Sequence, residues 1–131
     1  MPERIQLRRT KGWRMPPNTV KVDRSTRWGN GAAKIGEDIS YYTQGCVSAT
    51  ASDVVDLFRR FMAAHEAADK RAFDAWLSPL RGKNLACWCS ITAPDSYVPC
   101  HADVLLSIAN DIPLEEVIRE NYRRAKGEAL Q

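Results

Sequence analysis

The amino-acid sequence predicts a small α/β domain, with a sheet of three or four strands, at least partly parallel, flanked by about four helices. Three observations carry this. Near the start, short runs alternate apolar and polar residues with a period of two. From Thr50 the period changes to that of amphipathic helices. A short apolar run, "KNLACWC", then falls between two pairs of helices, so the strand before the first pair and this run can be parallel strands joined by a crossover.

In chain order, "RIQLRRT" (4–10) alternates Ile5 and Leu7 with polar neighbours and reads as a half-buried strand. Gly12 and the Pro16-Pro17 pair exclude helix from "KGWRMPPN" and predict an ordered loop. "TVKVDRST" sets Val20 and Val22 against Lys21 and Asp23, a second strand, and "RWGNG" is a turn suited to positive φ. Residues 31–50 are poorly patterned apart from a short candidate strand, "ISYY" (39–42). The first helix places Val54, Phe58, Phe61, Met62 and His65 on one face, with Thr50 or Ser52 as N-cap. The second turns Phe73, Trp76, Leu77 and Leu80 inward and ends at Pro79 and Gly82. After the third strand and a loop, "CHADVLLSIAN" buries Val104, Leu105 and Ile108. A fourth helix, opened by Asp111 and Pro113, carries Leu114, Val117, Ile118 and Tyr122. No linker or repeat divides residues 1–131. The core spans about 4–122, and a charged C-terminal end is expected to fray.

Composition narrows the function classes. At 131 residues and 44% hydrophobic, the chain fits one packed domain. No apolar run approaches the ~18 residues needed to span a bilayer, and "MPERIQLRRTKGW" has no signal-peptide core. The expected setting is therefore the cytoplasm, with no membrane partner, where four cysteines point to metal, catalysis or burial rather than disulfides. The net charge of +3 is uneven. Residues 1–34 hold nine Lys/Arg against Glu3 and Asp23, a balance of +7, and the remainder balances at −4. A basic segment interleaved with Trp13 and Trp28 suits the phosphates of a nucleotide or nucleic acid.

In α/β sheets, ligands gather beyond the carboxyl ends of the strands. All three strands here run into chemically unusual loops: "KGWRMPPN", "RWGNG" and "CWC…PCH". The candidate ligand-binding residues are Arg8, Lys11, Trp13, Arg14, Arg24, Trp28, Gly29 and Asn30. Asp23, at a strand end, is a candidate sugar-hydroxyl acceptor or base, or else an exposed acid paired with an arginine. Trp28 is either a stacking platform or a plug for the sheet end.

Cys87 and Cys89 share a face of their strand, while Cys100 and His101 open a helix. Three sulfurs and an imidazole form a tetrahedral zinc set, although C-x-C-x10-C-H is not the usual knuckle spacing. Alternatively, Cys100 is a thiol activated by a helix N-terminus with His101 as partner. As a third option, these are ordinary core residues. The zinc-deaminase signature is excluded, because Pro99-Cys100 lacks the second spaced cysteine and His65-Glu66 has the wrong spacing.

The blocks "RRTKGWRMPPNTVKVDRSTRWGN", "LRGKNLACWC" and "PCHADVLLSIAN" resemble the family catalogued as DUF4326, over most of residues 4–110. The matching positions are Gly12, Trp13, Pro16, Val20, Val22, Asp23, Arg24, Trp28, Gly29, Asn30, Cys87, Trp88, Cys89, Cys100, His101, Asp103, Val104 and Leu105. Gly31-Ala32 replaces the usual Pro-Phe, and the loop between Cys89 and Cys100 is longer than usual. The resemblance implies a bacteriophage or bacterial cytosolic setting and brings no activity with it.

Two functions are expected from these residues. The first is an enzyme acting on a nucleotide, nucleoside or nucleic-acid base, with Asp23, His101 and Cys100 as catalytic groups in a pocket made by the three loops. The second is a non-catalytic module binding nucleic acid or a host protein, with Cys87, Cys89, Cys100 and His101 as a structural staple, zinc being the candidate cofactor. The sequence does not specify the oligomeric state.

Overall fold

A computed structural model describes residues 2–30, 51–88 and 99–129, with side chains described from residue 53 in the middle segment and up to 124 at the C-terminal end. The candidate strand at 39–42, Cys46, Cys89 and the loop 91–98 lie outside the described residues. The described elements are β1 (Arg4–Gln6), β2 (Thr19–Lys21), α1 (Ala51–Ala68), α2 (Lys70–Leu77), a 3₁₀ turn (Ser78–Leu80), β3 (Asn84–Cys87), α3 (His101–Asn110) and α4 (Leu114–Ala129). The result is the expected α/β domain, a three-stranded parallel sheet with four helices among the described residues.

The sheet order is β1-β3-β2, with β3 paired in parallel to both neighbours. A central strand has no edge facing water, and this explains the uninterrupted burial of Leu85, Ala86 and Cys87. The register aligns Arg4 and Val20 with Leu85, and Ile5 and Lys21 with Ala86. Alternation then places Leu85, Cys87, Val20 and Val22 on one face and Ile5, Ala86 and Lys21 on the other. The main hydrophobic core forms on the Leu85/Cys87 face, with Phe58, Met62, Phe73, Leu77, Leu105 and Val117. There α3 packs against β3 and β1, α1 and α4 pack against α3, and α2 packs against α1.

Several positions depart from the helical pattern. In α1, Val55, Leu57, Phe58 and Met62 are buried, whereas Phe61 is 45% exposed, with its ring centroid 4.4 Å from that of the exposed His65. Phe61 sits at the margin of the apolar arc, over an open cleft. Helix α1 begins at Ala51, so Ser52 lies inside it, and Thr50 is outside the described residues. Tyr122 is 40% exposed, and α4 runs from Leu114 to Ala129. Asp111 closes α3 from the left-handed region (φ 53°), its N–H donating to the Ser107 carbonyl, so it ends one helix rather than opening the next.

The deepest polar feature ties β1 to α3 and α4. Arg4 and Asp103 form an ion pair (Nη1–Oδ2 3.1 Å) with both side chains fully buried. Asp103 also accepts from the Asn121 side-chain amide (2.8 Å) and the Cys100 backbone N–H (2.9 Å), and the Arg4 backbone N–H donates to Asn121 Oδ1 (3.3 Å). These extra hydrogen bonds offset the desolvation of two charges.

Candidate functional site at the carboxyl edge of the sheet

The carboxyl ends of β1, β2 and β3 lie at one edge of the parallel sheet. Beyond Gln6, Lys21 and Cys87 the ladder continues through Leu7 N–H to the Cys87 carbonyl (2.7 Å) and Val22 N–H to the Ala86 carbonyl (2.9 Å). Carrying the register two residues past Lys21↔Ala86 sets Asp23 beside Trp88 on the Ala86 face. The predicted neighbours do bond: Trp88 Nε1–H donates to Asp23 Oδ2 at 2.8 Å. The same alternation sends Arg9 to this face, where its guanidinium lies 4.9 Å from the centre of the Trp88 ring. One residue from each loop thus meets at a single point.

Asp23 organises the turn that follows. Its Oδ1 accepts from the Ser25 backbone N–H (3.2 Å) and hydroxyl, and its carbonyl accepts from Thr26 N–H (3.0 Å). Lys21 Nζ lies 3.6 Å from Oδ2. Burial pushes the Asp23 carboxyl up. The Ser25 hydroxyl, the Trp88 N–H, the Ser25 amide and the Lys21 ammonium together outweigh it and hold the group below the ordinary aspartate value. A carboxylate stabilised as the anion by three donors is a poor proton acceptor.

A second turn follows directly, Gly29 N–H donating to the Thr26 carbonyl (3.1 Å). It crosses the first so closely that a Cβ on Gly29 would stand 2.6 Å from Arg24 Cα and 2.7 Å from the Asp23 carbonyl oxygen. Only glycine fits there. Trp28 is half-buried, with its Nε1–H on the Trp76 carbonyl (3.0 Å) and its ring 6.3 Å from that of Trp76. It plugs the turn onto α2, and Arg27 covers its ring at 4.4 Å. Arg24 donates to the Asn30 carbonyl, and the buried Asn30 amide donates to the Val54 carbonyl (3.3 Å), fixing the turn to α1. Upstream, Gly12 at φ +85° makes the tight turn in which Trp13 N–H donates to the Thr10 carbonyl (3.0 Å), leaving Trp13 half-buried.

The thiol and imidazole candidates occupy the opposite, core-facing side. Cys87 and Cys100 are buried reduced thiols with sulfurs 3.3 Å apart, well beyond the ~2.05 Å of a disulfide. Cys100 is the N-cap of α3: its sulfur accepts from Ala102 N–H (3.4 Å), while Asp103 returns a bond to the Cys100 N–H in a capping box. His101 Nε2 lies 2.6 Å from the Val22 carbonyl. A carbonyl can only accept, so the ring carries its proton on that nitrogen. Phe58 meets the imidazole edge-on at 5.5 Å.

The three strand ends therefore share an edge, but the described candidates divide between two faces joined by the Val22–Asp23 peptide. Asp23, Trp88 and Arg9 face one way, and Cys87, Cys100 and His101 the other. An open cleft of about 590 Å³ touches this region only at Arg27 and Gly29 and is otherwise lined by α1 and α2, including Phe61, Phe73 and Trp76. For metal binding, two thiols at 3.3 Å approach the roughly 3.8 Å between thiolates on one tetrahedral zinc, a spacing that follows from a ~2.3 Å Zn–S bond. Among the described residues, no group of three or more His, Cys, Asp or Glu side chains could hold an ion, and Cys89 lies outside them.

The charge distribution completes the site. In residues 2–30, Arg8, Arg9, Lys11, Arg14, Lys21, Arg24 and Arg27 are all exposed. The two acids there are committed elsewhere, Glu3 to Arg124 (3.0 Å) and Asp23 to its donors. Arg9 and Trp88 were missing from the candidate residues. The signal for Trp88 was the strand period, which sets it opposite Cys87, but pairing it with Asp23 required the register.

Fold and edge together define a small parallel α/β domain with a basic, aromatic carboxyl edge, and no helix among the described residues is long and apolar enough to cross a membrane. A family model described as Domain of unknown function (DUF4326) matches residues 5–111, and the chain belongs to that family. No curated protein and no solved structure matches it.

Proposed function

We propose that this protein binds the phosphates of a nucleotide or nucleic acid at the carboxyl edge of its sheet, as a binding module. The observation that carries the reading is the imbalance of the segment that supplies two of the three strand-end loops: seven exposed cations in residues 2–30, with the carboxylate of Asp23 buried in a turn. Such a surface concentrates phosphate and releases counterions on binding. The test is fluorescence anisotropy of a labelled oligonucleotide across a salt series. The expected outcome is affinity falling linearly on a log–log plot with a slope of several units, each neutralised phosphate of a single strand contributing about 0.7. Salt-independent binding, or none at low salt, would sink it.

A catalytic reading, with Asp23, Cys100 and His101 acting on a nucleotide, nucleoside or base, is supported by one feature: His101 holds the carbonyl of the residue immediately before Asp23. It requires turnover of a nucleotide or nucleoside that Asp23→Asn abolishes; turnover surviving that change would remove Asp23 from the chemistry. A zinc staple is supported by the sulfur spacing alone. It requires a stoichiometric ion in protein purified without added metal, lost in Cys87→Ser, and metal-free folded protein would exclude it.

A further inference from the structure

We infer that Trp88 is a stacking platform for an unpaired base, so that single-stranded nucleic acid rather than duplex is the ligand of the basic edge; this rests on the binding function proposed above. Trp88 stands just past the end of the central strand, in contact with Asp23 and Arg9 from beyond the two flanking strands, and is 42% exposed. An indole on a protein surface usually offers two handles, its N–H and its π face. The N–H of Trp88 is already committed to the Asp23 carboxylate at 2.8 Å. That bond is charge-assisted, and Ser25 and Lys21 hold the carboxylate in its anionic form. The ring is therefore oriented before any ligand arrives, and its handle for a ligand is the π surface, over which the Arg9 guanidinium lies.

The surroundings select what that surface would receive. Arg9 lies over the ring, 4.9 Å from its centre, and exposed Lys21 lies 3.6 Å from the Asp23 carboxylate that holds the indole N–H, so an arriving base shares the indole with that guanidinium. A nucleobase attached to its phosphate matches this set, the base on indole and the phosphate on guanidinium or ammonium. Every base has a π face, so the platform is indifferent to sequence. In duplex, both faces of each base are already stacked on neighbours, and the platform has nothing to receive. Trp28 cannot share this task, because its ring packs against Trp76 and its N–H is spent on the Trp76 carbonyl.

The experiment compares wild type, Trp88→Phe and Trp88→Leu for binding a labelled single-stranded oligonucleotide and the matching duplex, with melting curves confirming that all three fold. Phe keeps a π face and loses the N–H; Leu keeps apolar bulk and loses the π face. Stacking predicts that Leu weakens single-strand binding roughly tenfold or more. It predicts that Phe stays within about threefold of wild type, that oligonucleotide quenching of indole fluorescence present in wild type is reduced in both variants, and that duplex binds more weakly than single strand. Equal binding by Trp88→Leu and wild type, or duplex binding as tight as single strand, overturns the platform while leaving the binding function standing. Competition by polyglutamate as effective as by oligonucleotide also overturns it, in favour of an acidic protein partner. Absence of binding to either nucleic acid, and to a free nucleotide assayed alongside them, removes the proposed function itself.

Discussion

Asp103 and Asp23 are both buried aspartates, one at each end of the loop-to-helix machinery, and they are held in different ways. Asp103 is enclosed, with an arginine partner whose side chain is equally inaccessible, and it ties three elements together. Asp23 is buried at the rim, its cation is an exposed lysine, and its other donors are a turn and a tryptophan that faces outward. Identical carboxylates thus act as a core fastener in one place and as a clip for an exposed surface in the other. The difference comes from the neighbours, and each can be tested against the other.

The largest effect belongs to Asp103. Asp103→Ala leaves the Arg4 guanidinium buried without its carboxylate and removes one arm of the α3 capping box. The expected cost is about 3–5 kcal/mol of unfolding free energy, measured by urea denaturation. The double variant Arg4→Met/Asp103→Leu is expected to recover much of that loss, because an apolar pair avoids the desolvation of both charges. If Asp103→Ala lost as little as a surface ion pair does, the burial-based contrast between the two aspartates would collapse.

Next comes the turn that Asp23 organises. Gly29→Ala forces a methyl group against backbone rather than against a side chain that could swing away. The expected loss is about 1–3 kcal/mol, read from thermal or urea unfolding. Gly12→Ala makes a useful control: there the obstacle is φ +85° alone, with nothing within 4 Å of the new atom.

Asp23→Asn ranks third. The amide keeps only one acceptor oxygen, so it can serve Ser25 or Trp88 but turns an NH2 donor toward the other, and it loses the charge; about 1.5 kcal/mol is expected at neutral pH. The sign with pH follows from the lowered folded-state value. Such a group contributes its full stability above the unfolded aspartate pKa, about 3.9, and loses it as pH falls through the lower folded value. Wild type and Asp23→Asn are therefore expected to differ at pH 7 and 5 and to converge only as pH falls from about 4 through the lower folded-state value. A difference independent of pH would mean that the charge of Asp23 does not matter.

These contrasts also mark what a sequence reader can see. The buried run Leu85–Cys87 and the amphipathic helices carry their evidence within a few residues, because period and burial are local properties. Arg4 and Asp103 do not. Alone, Arg4 reads as the polar side of an edge strand and Asp103 as a first-turn carboxylate, and only the packing of α3 on β1 makes them one unit. The strand period sets Trp88 opposite Cys87, but its bond to Asp23 depends on the register between β2 and β3, separated by more than sixty residues. The division of the candidates between two faces follows from the same fact. Strand alternation was legible, but its consequence for Asp23 and His101 needed the sheet order.

The smallest expected change in stability, and the most informative for function, lies with the exposed cations. Arg8 and Arg14 are solvent-facing. Arg8→Gln and Arg14→Gln are each expected to shift unfolding free energy by no more than about 0.5 kcal/mol. Their effect is expected in ligand binding instead, with each lost phosphate contact lowering the magnitude of the log–log salt slope by roughly 0.7 for a single strand. Arg9→Gln differs from both, because it removes a cation and also uncovers Trp88. If Arg9 engages phosphate while the base takes the ring, it behaves like the others in slope. If it competes with the base for the indole face, its removal leaves the slope nearly unchanged and tightens binding. Measuring all three slopes in one salt series therefore separates a purely electrostatic edge from one in which charge and stacking act on the same residue.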